Sequence, residues 1–154
     1  MKQTIKVFIT GLFLFTITLG CSKEDEIPDP NAISATITAN NVGTSAYIFT
    51  SIEGSGATST LNMDNAALTL KIGSRYQIIN LAGLPHPFTI RGIGNTTLLA
   101  QNDVVGTFES NSAVNFIATD TGITFTLTAE MAAQIAPYQC GRHAAMTGNI
   151  SAIN

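Results

Sequence analysis

Tryptophan is missing from the 154 residues, only 11% of them are charged, and there are just two cysteines and two histidines. Each scarcity excludes something. Two cysteines are too few for the four thiolates of an iron–sulfur cluster, and neither lies in the Cys-x-x-Cys-His run that attaches haem. A zinc site usually draws more cysteine, histidine or carboxylate at close spacing. The basic residues form no cluster able to track a phosphate backbone, so no nucleic acid is expected as a partner. No internal repeat points to a second domain, and 45% hydrophobic residues suffice for one core. The longest apolar run, Val7 to Gly20, is too short to span a bilayer comfortably and has the length of a signal-peptide core.

That run follows Lys2 and Lys6 and ends in Thr18-Leu19-Gly20-Cys21. A small residue before cysteine at this place resembles the lipobox of bacterial lipoproteins, with Thr18 where that motif prefers leucine. The resemblance implies a signal peptide over 1–20, lipidation of Cys21 and membrane attachment through an N-terminal lipid anchor. An ordinary secretory signal with a chance cysteine is the plainer alternative. Ser22-Lys23-Glu24-Asp25-Glu26 is similar to the Lys-acidic-acidic signal that sends some lipoproteins to the outer face of the outer membrane. It reads equally as a solvated acidic tether, running over 21–32 through Pro28, Asp29, Pro30 and Asn31. The expected location is the cell envelope, lipid-anchored to the outer membrane on its periplasmic face or at the cell surface. Without Lys2 and Lys6, the 7 basic residues fall to 5 against 10 acidic, and Glu24, Asp25, Glu26 and Asp29 sit in the tether. The domain itself is nearly neutral.

From Ile33 the chain turns to short runs of Val, Ile, Thr, Tyr and Phe bounded by Gly, Asn, Asp and Ser, which is strand composition. Strands are expected over 33–38, 46–52, 67–72, 75–80, 88–91, 113–117, 123–128 and 147–153. Seven or eight strands at this spacing predict an all-β antiparallel sandwich of about 120 residues over 33–154. Only Ala129 to Gln134 reads as a helical turn, and Met131 within it reads as core.

The chemistry gathers in two places. Cys140, His143 and Met146 stand at Cys-x2-His-x2-Met spacing, and the other histidine, His86, lies in Asn80-Leu81-Ala82-Gly83-Leu84-Pro85-His86-Pro87-Phe88. With Cys21 lipidated, Cys140 is the one remaining thiol in an exported chain, and metal ligation is one use for an unpaired thiol. Taken singly, each residue reads as structural. Jointly, two imidazoles, a thiolate and a weak thioether are the ligand set of a blue-copper electron-transfer site.

Here the sequence resembles the cupredoxins, the plastocyanin, amicyanin and pseudoazurin group. Asn80 to His86 looks like the plastocyanin loop that delivers the first histidine, and Tyr138-x-Cys140-x2-His143-x2-Met146-x-Gly148 looks like the C-terminal ligand loop at amicyanin-like spacing. The resemblance implies a Greek-key β-sandwich binding one type 1 copper through His86, Cys140 and His143, with Met146 axial. It implies a monomeric one-electron carrier rather than an enzyme, since no acid–base pair is visible. It also implies a redox partner protein docking on an apolar surface around Leu81, Ala82, Gly83, Leu84, Gly141, Ala144 and Ala145. An envelope copper-delivery module and an interaction domain without copper are the alternatives. Pro87 stands where such sites usually carry asparagine and has no N–H to offer, so fewer hydrogen bonds to sulfur and a lower potential are expected. The positive charge of Arg142 acts the other way.

Overall fold

Every second residue of Ala35-Thr36-Ile37-Thr38-Ala39 is buried, and this period of two makes the segment a half-buried strand rather than a helix turn. The same logic recurs along the computed structural model, which describes residues 29, 31–102 and 104–154. The expected signal peptide, Cys21 and nearly all of the tether lie outside the described residues. Eleven strands form: β1 (Ala35–Val42), β2 (Ala46–Gly54), β3 (Ala57–Ser59), β4 (Leu68–Lys71), β5 (Arg75–Asn80), β6 (Phe88–Gly92), β7 (Thr97–Ala100), β8 (Ile117–Thr119), β9 (Gly122–Thr126), β10 (Ile135–Cys140) and β11 (Thr147–Ile153). One helical turn, α1 (Ala129–Ala132), is capped by the Thr128 hydroxyl accepting from the Met131 N–H. No helix among the described residues is long and apolar enough to cross a membrane.

The fold is an all-β sandwich, as expected. One sheet runs β2-β1-β5-β9-β8 and the other β3-β4-β11-β10-β6-β7. Both are mixed rather than purely antiparallel, because β1 pairs parallel to β5 and β4 parallel to β11. Residues from both sheets share one core, with Ile37, Tyr76 and Ile78 on one side and Leu68, Phe88 and Tyr138 on the other.

The strand count exceeds seven or eight because β3, β7 and β10 carry weak signals. Pro137 argues against a strand over 135–140, since it has no N–H for a ladder. In the fold it falls at the irregularity of the β6–β10 register, between Ile135 and Tyr138, where its missing donor costs no ladder bond to β6. The expected strand over 113–117 shrinks to β8. Residues 111–115 form turns instead, with the Asn111 side chain accepting from the Ala113 N–H and Asn115 at φ 47°.

For function, the decisive feature is the centre of the six-stranded sheet. There β10 lies between β11 and β6. His86 precedes β6, Cys140 ends β10 and Met146 precedes β11, so the residues singled out by spacing meet at one end of three neighbouring strands. Beneath that end Tyr47, Phe49, Phe88 and Tyr138 form a fully buried aromatic cluster, with ring centroids 5.2–6.1 Å apart.

Candidate metal centre

The loop from β10 to β11 is short enough that its main chain dictates its shape. The Cys140 N–H donates to the Met146 carbonyl at 2.9 Å, and the Met146 N–H returns to the His143 carbonyl at 3.1 Å. Cys-x2-His-x2-Met spacing therefore turns all three side chains to one side. Two glycines permit it. A Cβ at Gly141 would stand 2.9 Å from Asn102 Nδ2 and 3.0 Å from the Pro87 ring, and one at Gly148 would run into the Tyr138 hydroxyl.

His86 arrives from the loop after β5. Gly83 N–H donates to the Asn80 carbonyl at 3.1 Å and His86 N–H to the Gly83 carbonyl at 3.0 Å, two stacked turns that lead into β6. The two ligand loops are joined by the Gly141 N–H donating to the Pro87 carbonyl at 2.8 Å.

His86, Cys140 and His143 present Nδ1, Sγ and Nδ1 within 4.8 Å of one another. Sγ lies 4.0 Å from His86 Nδ1 and 3.6 Å from His143 Nδ1. Metal bonds of about 2.3 Å to sulfur and 2.0 Å to nitrogen would set sulfur and nitrogen roughly 3.5–3.7 Å apart in tetrahedral or trigonal geometry. The donors stand at nearly that spacing, so the cluster can hold a metal ion. Met146 Sδ lies 3.1 Å from His86 Nδ1, which brings the thioether to the same point. Among the described residues no carboxylate belongs to the group. Met131 is fully buried in the core and takes no part.

Burial, followed by the His143 and Arg142 charges, holds the His86 imidazole below its ordinary pKa. It is neutral at neutral pH and its lone pair is free to ligate. Cys140 is buried, whereas both histidines are half-buried and show an edge to solvent. Around them Leu81, Leu84, Pro85, Gly141, Ala144 and Ala145 are exposed, a mostly apolar rim beside the exposed Arg142. Ala82 and Gly83, expected on that surface, are half-buried.

As expected, Pro87 offers the sulfur no hydrogen bond. The main-chain donor is Arg142, whose N–H points to Sγ at 3.4 Å. Spacing also gave no sign of three groups behind His86: Tyr47, Asn80 and Gln101. Asn80 was visible only as the start of the histidine loop. Tyr47 and Gln101 carried no signal, because they lie far away in the chain and act on main-chain atoms.

No family model matches the chain, and searches of curated proteins and of solved structures each found no match. What can be said of the centre therefore rests on its own geometry, two imidazoles and one thiol converging with a thioether at the end of a β-sandwich.

Proposed function

We propose that the chain is a cupredoxin-like, lipid-anchored one-electron carrier of the cell envelope, using a single type 1 copper. The observation that carries this is the convergence of His86 Nδ1, Cys140 Sγ and His143 Nδ1 within 4.8 Å, with Met146 Sδ beside them. The copper identity rests on the donor set: soft sulfur suits Cu(I), imidazole suits both oxidation states, and among the described residues no hard carboxylate joins them. Bound copper would supply a one-electron couple.

The chain's own residues do the rest. His86, Cys140 and His143 would hold the ion, with the Met146 thioether beside them. Buried Cys140 keeps the thiolate from solvent, and the hydrogen-bonded loops keep the donors in place whichever charge state is present. His143, edge-exposed within the apolar rim, offers the electron its way out. That rim is a docking surface for a redox partner protein, because exposed apolar patches mark interaction sites. The function is carriage rather than catalysis, since no acid–base pair flanks the cluster among the described residues. Attachment to the outer membrane follows the Cys21 motif; mass analysis of the mature N-terminus would find a diacylglyceryl cysteine, and an unmodified one would sink that part.

The test of the centre is the visible spectrum after Cu(II) addition. An intense thiolate-to-copper band is expected, absent in Cys140→Ser, and a colourless wild-type protein overturns the reading. The half-exposure of both histidines favours a second reading, copper delivery. Rapid loss of copper to a mild chelator would select it over carriage.

A further inference from the structure

The loop that delivers His86 has little packing of its own: Leu81, Leu84 and Pro85 are all exposed. Pro87, next in the chain, has no N–H with which to anchor it. Something else must hold the histidine. The His86 carbonyl accepts two hydrogen bonds from the core side, from the Tyr47 hydroxyl at 2.5 Å and from Asn80 Nδ2 at 2.7 Å. Both donors are rigid. Tyr47 is fully buried, its ring packed against Phe88 and Tyr138. Asn80 is 2% exposed.

Asn80 is itself locked in place. Its Oδ1 accepts from the Ala82 N–H at 3.1 Å, and its amide also donates to Gln101 Oε1 at 2.8 Å. That Gln101 oxygen accepts from the Phe88 N–H at 2.9 Å as well. Gln101 Nε2 donates to the carbonyls of Thr119 and Asp120 at 3.1 and 3.0 Å. Every polar group of the two amides has a partner, and a fully satisfied buried network is stiff.

We infer that Tyr47 and Asn80 are positioning residues for the metal centre, clamping the His86 main chain so that its imidazole is set before the ion arrives. This rests on the metal-binding reading of the cluster. The clamp takes hold of carbonyls where proline has removed the donor: Tyr47 and Asn80 hold the His86 carbonyl, and the Gly141 N–H holds that of Pro87.

Tyr47→Phe removes one oxygen and leaves the ring. The matched control is Tyr138→Phe, which loses an equally buried hydroxyl bond, to the Ala66 carbonyl, without touching His86. A buried hydrogen bond contributes about 1 kcal/mol, roughly a 5-fold change in an equilibrium. In metal-free protein, the His86 amide should exchange its hydrogen about 5-fold faster in Tyr47→Phe and at the wild-type rate in Tyr138→Phe. In copper-loaded protein, chelator competition should show about 5-fold weaker binding in Tyr47→Phe alone. Unchanged exchange in Tyr47→Phe, or equal acceleration in the control, overturns the clamp. Faster exchange with unchanged copper affinity overturns its bearing on the metal. If wild-type protein binds no copper, the functional reading falls, and the exchange data still decide whether Tyr47 holds His86.

Discussion

Arg142 presents two separable groups to the centre, an exposed guanidinium and a buried-facing N–H. The side chain stands in water, where salt screens its charge beyond about 8–10 Å. The N–H points to Cys140 Sγ from inside the loop and is screened by nothing. In copper-loaded protein, Arg142→Ala is therefore expected to lower the reduction potential only slightly, by removing a partly screened positive charge that is felt at His86. Arg142→Pro, which also deletes the N–H, should lower it on the order of 50 mV, because a donor to sulfur stabilises the electron-rich thiolate. Voltammetry on both variants separates charge from hydrogen bond, and equal shifts would assign the tuning to charge. At this scale the sequence was informative where candidate ligands sit close in the chain. Cys140, His143 and Met146 were visible from spacing, and His86 because no other histidine remained. Tyr47 was invisible because a hydroxyl that acts on a carbonyl 39 residues away leaves no local pattern.

Among the elements, β10 and β11 matter most, since the end of β10 and the loop to β11 carry three of the four candidate ligands. Gly148 is the second residue of β11, where a side chain would strike the Tyr138 hydroxyl and stand 2.6 Å from the Asn65 carbonyl. Neither neighbour has room to retreat, Tyr138 being fully buried and bonded to Ala66. Gly148→Ala should cost about 1–3 kcal/mol, the usual range for overpacking, read as a lower urea midpoint. Gly141→Ala meets softer neighbours, the Asn102 amide and the Pro87 ring, and should disturb the ligand loops more than the fold. Its expected signature is weaker metal binding with a nearly unchanged unfolding midpoint. Strand β10 was missed as a strand for a local reason with a tertiary answer: Pro137 forbids a regular ladder, and the register irregularity against β6 removes the need for one.

At the scale of the molecule, all three tyrosines are fully buried, and burial raises the pKa of each. In the unfolded chain they ionise near the ordinary value of about 10. Below that pH both states are protonated and the groups add no pH dependence. Above it the unfolded chain loses protons that the folded protein keeps, so stability falls as pH rises. Ultraviolet titration should show no phenolate in the folded protein, then one cooperative appearance when it unfolds; gradual ionisation of single tyrosines would contradict the burial. Phe88 lies between Tyr47 and Tyr138 and joins this core to the metal end. Phe88→Ala should destabilise by about 3–5 kcal/mol, the cost of a large aromatic cavity, measured by denaturant unfolding.

Composition and period by themselves determined that the chain makes β-strands, because alternation and β-branched residues act within a few residues of themselves. They also pointed to the candidate ligands, because Cys140, His143 and Met146 stand close together in sequence and His86 is the one other histidine. The tertiary structure alone decided that β6, β10 and β11 lie side by side, which is what carries His86 across the chain to Cys140. It alone decided which main-chain group faces the sulfur and which buried hydroxyl and amide hold the first histidine. Those choices are made by contacts between residues far apart in sequence, and a local pattern records none of them.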